Sequence, residues 1–105
     1  MVSDLVTTLS TETGYSWAAW GWAKPPAGDY GVVSGTADDT FQADERNSER
    51  VRRGYVDYFT RSDGETAKAA IERALVKSGV QWWNTGLDYE QETGFLHLSY
   101  SVVWW

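Results

Sequence analysis

A single histidine, His97, sits in the segment Phe95-Leu96-His97-Leu98-Ser99-Tyr100-Ser101, with serines two and four residues downstream. Histidine titrates near neutrality, so a histidine among hydroxyls raises the question of nucleophilic catalysis. A Ser-His-Asp triad can be written from Ser99 or Ser101, His97 and an aspartate. The segment alternates as a strand, however, and residues i and i+2 of a strand project in parallel. No nucleophile elbow accompanies them. The pattern predicts a partly exposed packing histidine and no catalytic residue.

The carboxylates give no firmer chemistry. Asp38-Asp39 and Asp44-Glu45 lack the alternating ligands and the turn glycine of a calcium loop. As a glycosidase pair they lie in a polar stretch with nothing to fix their separation. The chain has no cysteine, which removes disulfides, zinc thiolates and thiol catalysis. Nothing matches a glycine-rich phosphate loop. Arg46, Arg50, Arg52, Arg53 and Arg61 form the main basic cluster and are interleaved with acids. That pattern suits intersubunit ion pairs better than phosphate tracking. The expectation is therefore no catalytic site, no metal and no cofactor.

Composition points the same way. The chain has 105 residues, the size of one domain, and 42% of them are hydrophobic, as in a globular protein. The net charge of -6 argues against coating nucleic acid but allows a surface past which DNA slides. Seven tryptophans are many for this length, and aromatics serve both cores and interfaces. No basic segment followed by an apolar run marks a signal peptide near the start. No apolar stretch approaches the ~20 residues that span a bilayer.

These residues must be positioned by a short series of elements. Ser3 as a cap, with Leu5, Val6 and Leu9 at helical spacing, predicts a helix at about 3–12. Residues 15–22 read as a strand or extended segment, broken by Lys24-Pro25-Pro26-Ala27-Gly28. A strand follows at 29–34, then a polar loop or flexible β-arm at 35–50. A second strand spans 51–60, with Val56, Tyr58 and Thr60 on one side. Ser62 with Glu65 reads as a capping box opening a helix at 62–77. Its stripe is Ala67, Ala70, Ile71, Ala74 and Leu75, and Gly79 stops it. A hairpin of 87–91 and 95–104 closes the chain, with Leu96, Leu98, Tyr100, Val102 and Trp104 on one face. The sum is an α+β domain: a small antiparallel or mixed sheet, helices packed on one face, and a long polar arm.

The second half also resembles a known family. Asp29-Tyr30-Gly31-Val32-Val33 follows a proline pair. An arginine-rich approach leads into Arg53-Gly54-Tyr55-Val56-Asp57-Tyr58-Phe59. A short amphipathic helix contains Ala69-Ala70-Ile71-Glu72-Arg73-Ala74-Leu75. Tyr89-Glu90-Gln91-Glu92-Thr93-Gly94-Phe95-Leu96-His97 runs into a final strand. Over residues 29–105 this resembles the tail terminator, or tail-completion, proteins of long-tailed bacteriophages and related minor tail components. Residues 15–22 have no counterpart in that pattern. The resemblance implies a virion protein of the tail, made in the host cytoplasm. It implies a homo-oligomeric ring, usually a hexamer, that caps the tail tube and joins it to the head connector while DNA passes through unbound. In such a ring Arg46, Arg50, Arg52 and Arg53 would meet Asp38, Asp39, Asp44 or Glu45 of the neighbour. The rival reading is a small carbohydrate-binding module using exposed tryptophans, against which the capped helix and the missing signal peptide count.

Overall fold

The computed structural model describes residues 2–35 and 52–104, the side chains of Ser3 and Arg52 excepted. Two helices, α1 (Val2–Thr13) and α2 (Gly64–Ser78), accompany five strands: β1 (Trp17–Ala19), β2 (Tyr30–Gly35), β3 (Arg52–Thr60), β4 (Gln81–Glu90) and β5 (Phe95–Trp104). The strands form one mixed sheet in the order β1-β2-β3-β5-β4. β1 runs parallel to β2, and every other pairing is antiparallel. The fold is α+β, as the sequence predicts. The arm expected at 35–50 lies outside the described residues, apart from Gly35, which ends β2.

The period-two pattern of β3 and β5 determines which face is covered. Val56, Tyr58 and Thr60 are buried and sit opposite Tyr100, Leu98 and Leu96. Leu5 and Leu9 of α1, with Ala67, Ile71, Ala74 and Leu75 of α2, close over that face to make one core. Ala70, expected in the stripe, is only half-buried. Trp17 packs its ring flat against Gly31, where any Cβ would overlap it, and its indole N–H donates to Thr13 Oγ1 at 3.0 Å. Helix α1 is thereby tied to the edge of the sheet.

Two helix starts differ from expectation. Helix α1 begins at Val2, so Ser3 lies inside it. The cap of α2 is Asp63, not Ser62. Asp63 is extended, with φ -70° and ψ 112°, and its Oδ1 accepts from the Glu65 N–H at 2.9 Å. Its other oxygen accepts from the Thr66 hydroxyl at 2.8 Å. Ser62 lies in the bend after β3 instead, its N–H donating to Thr60 Oγ1. The carboxylate wins because it serves two donors at once and suits the positive end of the helix dipole. Gly79 closes α2 as expected, with φ 83° and its N–H donating to Val76 O.

Asp29, read as a strand residue, is a latch placed just before β2. Its Oδ2 accepts from the buried Thr60 hydroxyl at 2.6 Å and its Oδ1 from the Arg61 N–H at 3.0 Å. Strand β4 begins at Gln81, six residues before the Leu87 start expected from sequence. The reason is a register shift between Asn84 and Gly86. Trp82 and Asn84 pair with Val102 and Tyr100 on the covered face, whereas beyond the bulge Leu87 and Tyr89 take that side. A one-residue bulge breaks strict alternation, and with it the sequence signal of a strand.

Candidate functional site

The sheet face opposite the helices carries the side chains able to do chemistry or binding. At one end Tyr30, Phe59 and His97 form a stack, with ring centroids 5.0 Å and 4.3 Å apart in turn. Phe95 meets Tyr30 and Phe59 edge-on. The Arg61 guanidinium lies 4.0 Å over the Phe95 ring, held by hydrogen bonds to the Thr93 and Ala27 carbonyls. This is an ordinary cation–π closure of a small aromatic cluster.

Beside it the structure brings together a histidine, a serine and an aspartate, the residue types of a triad. His97 Nε2 lies 2.9 Å from Asp57 Oδ1 and 3.2 Å from Ser99 Oγ. The Ser99 hydroxyl also lies 3.1 Å from the same Asp57 oxygen. Parallel projection from neighbouring strand positions does not prevent the contact. The wiring nevertheless differs from a Ser-His-Asp triad. A catalytic histidine uses one ring nitrogen for the carboxylate and the other to take the serine proton. Here both partners converge on Nε2, and Ser99 reaches the carboxylate directly. The three groups bond to one another across β3 and β5, with His97 Nε2 shared between Asp57 and Ser99.

Further along the same face, Tyr55 and Trp83 flank Ser101 in one row across β3, β5 and β4. Arg53, Gly54, Val102 and Val103 complete a groove of about 270 Å³. Tyr55 is 47% and Trp83 51% exposed. Two strand spacings separate the aromatic walls by about 10 Å between Cα atoms, room for one flat group between them. Strand β4 itself is a sheet edge, and Leu87 and Tyr89 on it are 53% and 64% exposed. Trp20, following β1 with φ 70°, is exposed at the other edge.

A second cavity, about 420 Å³, opens among Asp4, Leu5, Thr8, Ser78, Gly79, Val80 and Trp104. The buried Trp104 Nε1 has no hydrogen-bond partner among the described residues. Among the described residues the other buried side-chain polar atoms are paired. Tyr100 donates to Glu72 Oε2 at 3.0 Å, and Glu72 also receives Lys68 at 2.9 Å. Burial, then the Glu72 bond and charge, hold the Tyr100 phenol well above its ordinary pKa. Burial, then Asp29 and Tyr15, do the same for Tyr58.

Of the predicted interface residues, Asp38, Asp39, Asp44, Glu45, Arg46 and Arg50 lie outside the described residues. Arg52 opens β3 opposite Trp104. Arg53 is exposed on the rim of the Tyr55–Trp83 groove. The aromatic row and the β4 edge were not anticipated. Among the described residues there is no cluster of three or more His, Cys, Asp or Glu placed to hold a metal, and no helix is long and apolar enough to cross a membrane. No protein-family model matches the chain, and no curated protein does.

Proposed function

We propose that this chain is a structural subunit of a phage tail, without chemistry of its own, that caps the tail tube and joins it to the head connector as a ring. The observation that carries the reading is where the large apolar side chains lie. Tyr55 and Trp83 stand exposed on the open face and Leu87 and Tyr89 on the other side of the edge strand β4, while His97, Asp57 and Ser99 bond to one another. Exposed aromatics on and beside an edge strand mark a surface that meets protein. The resemblance of residues 29–105 to tail terminators supplies the kind of partner. In the ring, Arg53 near the start of β3, together with Arg50, which lies outside the described residues, would meet acids of the neighbouring subunit. Reversing both to Glu should abolish joining of heads to tails while leaving the circular dichroism and melting of the free subunit unchanged. A double variant that joins them as well as the parent does would overturn the reading.

The groove between Tyr55 and Trp83 favours one alternative, a carbohydrate-binding module that holds a sugar ring between the two aromatics. Quenching or a blue shift of Trp83 fluorescence on titration with a polysaccharide panel, lost in Trp83→Ala, would select it.

A further inference from the structure

The two edges of the sheet are unequal. β1 is only three residues long and is followed by a turn and Pro25-Pro26. β4 is ten residues long, contains no proline, lysine or arginine, and pairs on one side only among the described residues. Natural edges are guarded by short length, proline, charged side chains or bulges. Of these β4 has the bulge at Asn84–Gly86 and the two acids Asp88 and Glu90, but neither short length, proline nor a basic side chain.

Its side-chain pattern is moreover self-complementary. Before the bulge Trp82 and Asn84 face the helices; after it Leu87 and Tyr89 do. Read backwards from Glu90, the same positions recur. A regular ten-residue strand laid antiparallel over its full length against a copy of itself would set each covered-face residue against an open-face one. The bulge removes that mismatch. Trp82 then falls opposite Tyr89 of the second copy, Asn84 opposite Leu87, Trp83 opposite Asp88 and Gln81 opposite Glu90. Charge agrees with this register. The strand's only charges are Asp88 and Glu90. Each lies opposite an uncharged residue, and the two Asp88 carboxylates stand about five residues, or ~16 Å, apart, beyond the Debye length at physiological salt.

We infer that the free subunit pairs with a second copy of itself through β4, antiparallel and in this register, extending the five-stranded sheet to ten strands. A two-fold axis perpendicular to the sheet keeps both helix layers on one side. Trp83, Leu87 and Tyr89 offer only some 300 Å² of side-chain surface per partner, against ~800 Å² in a standard interface. The dimer is therefore weak and dissociates on dilution. This isologous contact uses the same β4 edge that the ring reading rests on, whose contacts are heterologous, so the pair must part before a ring can form.

The absence of cysteine in the chain allows a clean test by single substitutions under mild oxidation, beside sedimentation of the parent over a hundredfold range of concentration. Thr85 lies next to the axis, so Thr85→Cys should cross-link to itself, within the ~4.4–6.8 Å Cα separation of disulfides. Trp83→Cys alone should stay uncross-linked, whereas Trp83→Cys mixed with Asp88→Cys should form the mixed dimer. Leu87→Lys should raise the dissociation constant at least tenfold with the fold intact by circular dichroism. A parent that stays monomeric throughout overturns the proposal. So does self-linking of Trp83→Cys, a Leu87→Lys variant that pairs as the parent does, or growth beyond dimers. Loss of the dimer with head–tail joining retained leaves the proposed function standing, which separates the two claims.

Discussion

Asp29→Ala tests how the β2–β3 corner is held. Asp29 accepts two hydrogen bonds, from the Thr60 hydroxyl at 2.6 Å and the Arg61 N–H at 3.0 Å. Thr60 is 1% exposed, so its hydroxyl loses a charged acceptor away from water, whereas the exposed Arg61 amide recovers one. A hydrogen bond to a charged group contributes ~1.5–3 kcal/mol, so with the second bond discounted the loss should be about 2–4 kcal/mol. At ~4–8 °C per kcal/mol for a domain of this size, the melting temperature should fall by roughly 8–32 °C. Urea unfolding at pH 7 reads the effect, and the m-value should stay constant because the surface exposed on unfolding is unchanged. Asp29→Asn keeps an acceptor oxygen and should cost less than Asp29→Ala. A double-mutant cycle with Thr60→Val should show coupling of at least ~0.5 kcal/mol, the range found for contacting residues. An Asp29→Ala variant as stable as the parent, or additive cycles, would mean that Asp29 does not hold this corner.

Three further outcomes follow from the core and its caps. Leu75→Ala should cost about 2–5 kcal/mol through a core cavity, measured by chemical denaturation; an unchanged midpoint would mean Leu75 is not core. Asp63→Ala should lower the melting temperature and Ser62→Ala should not. Asp63 is held below its ordinary pKa by the Thr66 and Glu65 hydrogen bonds, so its stabilisation is present above its ordinary value of about 3.9 and fades as pH falls through the lowered one. The gap between parent and Asp63→Ala should accordingly close in acid, as melting curves from pH 7 down to pH 2 would reveal. At the alkaline end, Tyr58 and Tyr100 keep their protons when folded, so stability should fall as pH rises above ~10, where unfolded tyrosine ionises. In an ultraviolet titration those two phenols should ionise only together with unfolding.

The sheet's centre and the helix faces were legible because their periodicity is unbroken. Val56-Tyr58-Thr60 and Leu98-Tyr100-Val102 alternate cleanly, and Ala67, Ile71, Ala74 and Leu75 repeat at helical spacing. Where a feature depends on one residue out of pattern, the sequence misled. The bulge at Asn84–Gly86 hid the first half of β4, and with it the exposed edge. Ser62 and Asp63 are both good caps, and the choice was made by Thr60, which ties Ser62 to the strand end. The His97–Asp57–Ser99 cluster needed the β3–β5 register, since Asp57 lies 40 residues from His97 in sequence. Which nitrogen each partner uses could be read only from the assembled geometry.

The central claim, that this chain joins tails to heads, is tested most directly by removing its coding sequence from the genome that carries it and imaging the resulting particles by electron microscopy. DNA-filled heads and separate tails should then accumulate, and adding the purified protein to the extract should restore joined particles. Joined particles formed without it, or separate heads and tails that purified protein fails to unite, would mean that the chain does not join them.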